Sequence, residues 1–252
     1  MCTLSWFVNS NGYELFFNRD ERRSRRRAQL PSLQSSGGVQ YLSPTDADAG
    51  GTWIATNQFG VTVCLLNHYQ FEQLETYKLW VSRGEMVRNF ATTNNLKHAK
   101  KQFFDLNLND YRAFRMFIIT PNGANALFVW DGHLPRIECD VMSPKSSSSV
   151  DAKQVKSLRK QLFTDMNLVE SQQVDEFIEY HSSHDAGRSK ESVCMHRSDA
   201  NTVSLSHVSV SADAVNFRYA DGSPCEAAFG DKLTLNIAAP ALKITAPISG
   251  LN

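Results

Sequence analysis

The chain has 252 residues, of which 42% are hydrophobic and 21% are charged, and its formal net charge at pH 7 is zero. These values are ordinary for a soluble globular protein, and a neutral chain lacks the overall field that attracts nucleic acid or an anionic membrane. No stretch approaches the roughly 20 apolar residues of a membrane-spanning helix, so we predict neither a nucleic-acid partner nor a transmembrane segment.

The cysteines are widely spaced and odd in number: Cys2, Cys64, Cys139, Cys194 and Cys225. Because they include no C-x-x-C pair, the pattern argues against a disulfide framework and for a reducing compartment. The N-terminal residues also lack the basic leader and continuous apolar segment of a secretory signal. We therefore expect a cytoplasmic protein.

Two hairpins are predicted in the first third of the chain. Apolar runs at 2–8 and 13–17 flank a turn that ends at Gly12, which is typical of a β-hairpin. Residues 52–66 repeat this pattern around a turn that ends at Gly60. Both hairpins begin or end next to polar residues that could take part in catalysis or ligand binding.

Helices and further strands alternate in the rest of the chain. Residues 82–104 have apolar side chains at helical spacing, with Ser82 and Glu85 as a capping box. The other predictions are strands at 114–120, 125–130 and 134–139, helices at 150–164 and 171–181, a polar loop at 182–192, and three or four strands within 193–237. This order predicts an α+β fold in which two sheets pack together with helices outside them, in a single domain spanning 1–252.

Cys2 becomes chemically unusual if Met1 is removed, as happens when the second residue is small. The exposed residue then carries a thiol, which is nucleophilic as the thiolate, and an α-amine with a pKa of about 8 that can act as a base. N-terminal threonine enzymes also combine nucleophile and base in this way. The alternative is an ordinary residue at the start of a strand.

The segment Asn18-Arg19-Asp20-Glu21 ends the second predicted strand, so antiparallel pairing brings it back beside Cys2. A carboxylate there can hold the α-ammonium group by a charge-assisted hydrogen bond. An arginine there can lower the thiol pKa and bind an anionic group of a substrate. Solvated ion pairs in a surface turn are the simpler alternative.

Asn67 ends the second hairpin. A side-chain amide at a strand end can donate a hydrogen bond to an oxyanion, and the loss of one such donor typically costs about 100- to 1000-fold in rate. An ordinary turn residue is the alternative.

Five short segments together resemble the transport and Golgi organisation protein 2 family, also called the NRDE family. They are Met1-Cys2-Thr3, Asn18-Arg19-Asp20-Glu21, Gly50-Gly51-Thr52-Trp53, Leu66-Asn67 and Ser82-Arg83-Gly84-Glu85. All lie in the first third of the chain. Each segment alone is weak evidence for the family, but the five segments in this order are specific to it.

That family is more remotely similar to Ntn hydrolases of the penicillin V acylase and bile salt hydrolase type. Here Asn57, Gly60 and Leu66-Asn67 match the hairpin that presents the oxyanion asparagine, and Pro144 followed by residues 146–149 resembles a Ser-rich helix start. The resemblance implies a four-layer αββα sandwich.

The same resemblance implies a catalytic role for four residues: Cys2, Arg19, Asp20 and Asn67. In the acylases two residues separate the arginine from the aspartate, whereas here Arg19 and Asp20 are adjacent, so Glu21 could hold the amine instead of Asp20. Arg159 is the candidate for a later arginine of the acylases. The predicted substrate-binding residues are Asn18, Glu21, Trp53, His196 and Arg197.

A second polar cluster lies near the C-terminus, where His181 and His184 at a helix end could bind a metal with Cys194 or His196. A polar loop beside a strand explains these residues more simply, so we predict no metal. His196 or Arg197 could instead line the Cys2 pocket from the second sheet.

The only charge block is the arginine run Arg22, Arg23, Arg25, Arg26 and Arg27. It is either a solvated loop or a site that binds phosphate or carboxylate groups.

The sequence is compatible with two functions. The first is a cysteine amidohydrolase that cleaves a small non-peptide amide through Cys2 and needs no cofactor. The second is a binding or trafficking protein on the same scaffold, with haem or an acyl-CoA as the ligand, because one fold supports several functions.

Overall fold

The computed structural model describes residues 2–69, 79–185 and 187–238. The strands are β1 (Cys2–Asn9), β2 (Gly12–Arg22), β3 (Gln29–Ser36), β4 (Val39–Thr45), β5 (Ile54–Asn57), β6 (Thr62–Asn67), β7 (Phe114–Ile119), β8 (Asn125–Trp130), β9 (Pro135–Cys139), β10 (Lys145–Ser147), β11 (Ala200–Val210), β12 (Ala214–Ala220) and β13 (Leu233–Asn236). The helices are α1 (Arg83–Phe90), α2 (Leu96–Asp105), α3 (Ala152–Asp165) and α4 (Val174–Ser182), and a 3-10 turn covers Leu108–Asp110.

The strands form two antiparallel sheets. The first has the order β10-β1-β2-β11-β12-β13, and the second has the order β3-β4-β5-β6-β7-β8-β9. In the first sheet, Cys2 pairs with Arg19 across the hairpin, as the sequence predicts. The short strand β10 follows β9, the last strand of the second sheet, in the chain. It pairs with β1 on the side opposite β2 and so belongs to the first sheet.

The two sheets pack face to face around a shared apolar layer, in which the rings of Trp6 and Phe117 lie 4.2 Å apart. Helices α1 and α2 bury Met86, Phe90 and Phe103 against the outer face of the second sheet. Helices α3 and α4 bury their own apolar residues against the outer face of the first sheet. Since side chains alternate between the two faces of a strand, every central strand is buried on both sides. The predicted four-layer αββα sandwich is confirmed.

Several local predictions are corrected by the structure. The segment 82–104 is not one helix, because α1 ends at Phe90 and α2 begins after Asn95, whose side chain accepts a hydrogen bond from the His98 N–H as its cap. Residues 193–199 are irregular apart from one bridge, and residues 146–147 belong to β10 rather than to a helix start. Strands β3 and β4 were not predicted.

Helices at 150–164 and 171–181 are confirmed as α3 and α4 within three residues at each end. Among the described residues, no helix combines the length and apolar character required to span a membrane.

Candidate active site around Cys2

Cys2 begins β1 and lies between two neighbouring strands, opposite Arg19 of β2 and Ser147 of β10. Only 8% of the residue is exposed, and that surface lines a cavity of about 310 Å³. The cavity opens at the edge of the inter-sheet layer, between the end of the β1–β2 hairpin and the start of α1. A ligand in it can therefore reach the first residue of the strand.

The residues of Asn18-Arg19-Asp20-Glu21, the NRDE segment, point alternately to the two faces of β2. Arg19 pairs directly with Cys2 and shares its face, and Glu21 is hydrogen bonded to Arg19 at 3.2 Å on that face. Asp20 lies on the opposite face, where its Oδ1 accepts a hydrogen bond of 2.6 Å from Thr202 Oγ1. The side chains of Arg19 and Glu21 therefore face the cavity. Asp20 also lines it, although its carboxylate is directed toward Thr202 and Arg159.

Arg19 is held rigidly beside the cavity. Its guanidinium donates to Asp46 Oδ2 at 2.6 Å and lies 4.1 Å from the centre of the Trp53 ring. Both ion-pair partners are largely shielded from water, since their side chains are only 7% and 12% exposed. A fixed cation opposite Cys2 can stabilise negative charge in the cavity without reorganising.

Burial raises the pKa of the Cys2 thiol above its usual value. The negative charge of Asp20 also raises it, while a hydrogen bond from the Asp20 backbone and the charge of Arg19 act in the opposite direction. The thiol is therefore protonated near neutral pH and needs a nearby base to become the thiolate nucleophile.

Asn67 and Trp53 both line the cavity with Cys2. The Asn67 amide at the end of β6 donates to Tyr69 Oη at 2.7 Å. An amide nitrogen has two donor hydrogens, so the second remains available to a bound oxygen. Six of the predicted residues thus line one cavity: Cys2, Arg19, Asp20, Glu21, Trp53 and Asn67.

The opposite wall depends on a close contact between two glycines, Gly51 and Gly84. The Thr52 N–H donates to the Gly84 carbonyl at 3.1 Å, and a Cβ on Gly51 would lie 2.5 Å from the Gly84 backbone. Only glycine at residue 51 permits this approach. The contact explains physically why the segments 50–53 and 82–85 occur together.

Arg83 and Arg112 also line the cavity, and neither was predicted as a site residue. Arg83 is half-buried and donates to the Ala113 carbonyl at 3.0 Å, and Arg112 lies 5.9 Å from the centre of the Trp80 ring. Neither has an acidic partner within the described residues. Arg83 lies in the segment 82–85, which contributes to the family resemblance, so the sequence offered a reason to consider it. No motif near Arg112 offered such a reason.

A buried polar network supports Cys2 from behind. Arg159 of α3 has a fully buried side chain that lies 3.5 Å from Asp20 Oδ2 and donates to Thr3 Oγ1 at 2.6 Å. It also donates to the carbonyls of Lys190 and Glu191 at 3.3 Å. Arg159 therefore contacts the rear of the strand and not the cavity, so it acts at most by positioning.

Three predicted substrate-binding residues lie away from the Cys2 cavity. The buried amide of Asn18 donates to the carbonyls of His181 and Val193 at 2.8 and 3.1 Å, because Asn18 shares the helix-facing side of β2 with Asp20. His196 contacts Cys194 and other cluster residues instead. Arg197 pairs with Asp199 at 2.7 Å and lines a smaller neighbouring cavity.

The arginine run borders a second cavity of about 270 Å³, which shares Arg19, Glu21 and Arg25 with the first. Much of its charge is neutralised internally: Arg25 bonds Asp46 at 2.9 Å, Arg26 bonds Asp48, and Arg27 bonds Asp221 at 2.8 Å. The run is therefore an exposed loop whose arginines are partly paired with acidic residues.

The sequence matches the model of the Transport and Golgi organisation 2 family over residues 1–220. The chain belongs to this family. The match includes every residue that lines the Cys2 cavity. No curated protein sequence matches the chain.

Solved Ntn hydrolases share the fold of this family member at low sequence identity. A mutant conjugated bile acid hydrolase from Clostridium perfringens has a TM-score of 0.56 at 11% identity, covering 92% of each chain. An orthologue of N-acylethanolamine-hydrolyzing acid amidase from Caenorhabditis elegans has a TM-score of 0.61 at 9% identity, covering 82% of this chain and 92% of its own. Penicillin V acylase from Agrobacterium tumefaciens has a TM-score of 0.51 at 9% identity, covering 87% and 86%.

Proposed function

We propose that this protein is a cysteine amidohydrolase that cleaves a small non-peptide amide, with Cys2 as the N-terminal nucleophile once Met1 is removed. The observation that carries the proposal is the pairing of Cys2 with Arg19 at the base of a cavity. The shared fold with structures named as amidase, acylase and bile acid hydrolase supports an amide substrate.

In the proposed reaction, the Cys2 α-amine takes the proton of the thiol, and the thiolate attacks the amide carbon. The tetrahedral intermediate then breaks its C–N bond, and the α-ammonium returns the proton to the departing amine. Water, deprotonated by the same α-amine, then attacks the thioester. The C–S bond breaks, the α-ammonium returns its proton to the Cys2 thiolate, and a carboxylic acid is released. Burial, which raises the pKa of the thiol, is the reason for assigning the α-amine as the base.

Two residues of the cavity would assist the reaction, one by stabilising the oxyanion and the other by holding the α-ammonium group. Asn67 would donate its second amide hydrogen to the oxyanion, as preorganised donors do in acyl transfer. Glu21, on the same face as Cys2, would hold the α-ammonium in place of Asp20, whose carboxylate points away.

The charge of the cavity favours an amide that carries an acidic group. Arg83 and Arg112 line the cavity without an acidic partner among the described residues, and Trp53 and Trp80 supply flat apolar surface beside them. Guanidinium groups bind carboxylates bidentately, and aromatic faces pack against apolar or ring systems.

The test compares hydrolysis of an N-acyl-aminobenzoate with that of the matching N-acyl-anilide, which lacks the carboxylate. We expect the wild type and the exposed-cysteine control Cys139→Ser to cleave the aminobenzoate faster, and Cys2→Ala to fall to background. Equal activity in Cys2→Ala would refute the nucleophile. A preference for the anilide would refute the acidic substrate but leave the nucleophile standing.

A second candidate is a carrier of an anionic ligand such as haem or an acyl-CoA. The arginine-lined cavity that adjoins the Cys2 cavity favours it, because it offers guanidinium groups beside Ala28 and Tyr219. A Soret shift on haem titration, or a rise in melting temperature with acyl-CoA, that is lost in Arg22→Ser would support this function. No effect of either ligand would eliminate it.

A further inference from the structure

Four metal-binding side chains from three segments meet on the side of the first sheet that faces away from the Cys2 cavity. They are His184, Cys194, His196 and Cys225, and one ligand atom from each lies within 4.8 Å of all the others. His184 follows α4, Cys194 and His196 precede β11, and Cys225 follows β12. No role in the proposed amide hydrolysis falls to any of them.

The set differs from the one that the sequence suggested. His181 is fully buried, and its Nε2 lies 2.8 Å from Ser5 Oγ, so it belongs to the helix-facing core of β1. Its place is taken by Cys225, which is 29 residues from His196 in the chain and lies close to it only because β11 and β12 form a hairpin.

Two of the six distances between the ligand atoms suit a tetrahedral metal ion. His196 Nε2 lies 3.6 Å from Cys194 Sγ and 3.5 Å from Cys225 Sγ. Zinc bonds of about 2.3 Å to sulfur and about 2.0–2.1 Å to nitrogen give tetrahedral edges of roughly 3.3–3.8 Å. The two distances already fall within this range.

A second observation points to an absent ligand. Nε2 of His184 is buried as an atom and has no hydrogen-bond partner among the described residues, although the ring lies 4.9 Å from that of His196. Buried polar atoms nearly always have a partner, and a neutral imidazole nitrogen without one can bind a metal ion.

We propose that His184, Cys194, His196 and Cys225 bind one Zn²⁺ ion in a closed, structural Cys₂His₂ site. Two thiolates would neutralise the ion, with two protons released on binding, and no coordination position would be left for a substrate. The site would fasten the segment 183–197 to the turn that contains Cys225.

The position of this site connects it to the rear of the candidate active site. Met195, between two of the ligands, donates its N–H to Thr202 Oγ1 at 2.8 Å, and that hydroxyl donates to Asp20 at 2.6 Å. Asp20 in turn lies 3.5 Å from Arg159. Zinc would therefore stabilise the buried network behind Cys2 without contacting the cavity.

The test measures the metal content of the full-length protein, purified with a non-metal-binding reductant from zinc-supplemented cells. We expect about one zinc per chain in the wild type and in the controls Cys139→Ser and His133→Asn, and less than about one tenth in Cys225→Ser and His196→Asn. Replacement of zinc by cobalt(II) in the wild type should give tetrahedral d–d bands with a thiolate charge-transfer band, a readout that needs no variant to fold.

Two results would overturn the proposal. One is a folded, reduced wild type that binds neither zinc nor cobalt, or that binds them equally well in the ligand variants. The other is a disulfide between Cys194 and Cys225 that persists under the same reducing conditions, shown by the mass of the linked peptides.

Discussion

Asp20 and Glu21 are consecutive residues of β2 whose carboxylates leave the strand on opposite faces of the first sheet. Asp20 faces α3, where it accepts a hydrogen bond from Thr202 and lies 3.5 Å from Arg159. Glu21 faces the Cys2 cavity and accepts a hydrogen bond from Arg19. The carboxylates of these two adjacent acids therefore have different partners, although both residues line the Cys2 cavity.

We predict that the conservative amide variants separate these roles. Asp20→Asn should lower the free energy of unfolding by about 3–5 kcal/mol, because it leaves the Arg159 charge buried without its counter-ion. Glu21→Gln should change stability by less than about 1 kcal/mol, since the pair it breaks is partly solvated. The same variant should lower kcat/KM by about 100-fold or more, because it weakens the hold on the proposed base.

Chemical denaturation measures the stability of both variants, and amide hydrolysis measures their activity. Together they show which of the two acids serves the nucleophile. The opposite pattern, with a stable but inactive Asp20→Asn and an active Glu21→Gln, would mean that Asp20 serves the nucleophile after all.

The glycine contact at the cavity wall gives a second prediction. Gly51→Ala should destabilise the protein by about 1–3 kcal/mol, because the added methyl would meet backbone atoms of Gly84 that cannot move independently of α1. Gly230→Ala is the matched control, since its Cβ would lie 3.6 Å from the nearest atom. That control should be neutral or stabilising by about 0.4–1 kcal/mol. Equal denaturation midpoints for the two variants would contradict the close packing of α1.

His181 gives a prediction about acid stability. Burial, with smaller effects of Arg159 and His207, lowers the pKa of His181 to about 3, so the folded protein keeps this ring neutral. Below a pH of about 6.5 the unfolded chain binds a proton that the folded chain does not, and stability falls as the pH approaches 3. The contribution is at most about 1.4 kcal/mol per pH unit.

The slope of unfolding free energy between these pH values measures this effect. His181→Gln should show a smaller slope than the wild type, whatever its stability at pH 7. The exposed-histidine variant His133→Gln should keep the slope of the wild type. An unchanged slope in His181→Gln would exclude His181 as the group responsible.

The sequence was informative where apolar patterning was strong and uninformative where it was not. The β1–β2 hairpin and its return to Cys2 followed from two apolar runs and an Asn/Gly turn. Strand β3 is an edge strand with mostly exposed polar residues, so it lacks the alternation that marks a half-buried strand. The break between α1 and α2 depends on the cap at Asn95, which the apolar periodicity of 82–104 conceals.

For the candidate site, the sequence predicted which segments lie near Cys2 but not which face of the sheet each side chain occupies. Pairing in the hairpin placed the NRDE segment beside Cys2, but the face of each side chain depends on a register that is fixed only to within one residue by sequence. Arg19 opposite Cys2 settles that register, so Asn18 and Asp20 face the helices. Arg83, Arg112 and Cys225 come from distant segments, and only the tertiary structure joins them to their partners.

The most direct test of the central claim is the mass of the N-terminal tryptic peptide, residues 2–19, from protein acid-quenched during turnover of an N-acyl-aminobenzoate. We expect a peptide that begins at Cys2 and carries the mass of the acyl group, with no such addition in Cys2→Ala. A peptide that retains Met1, or that stays unmodified while the amide is cleaved, would contradict it.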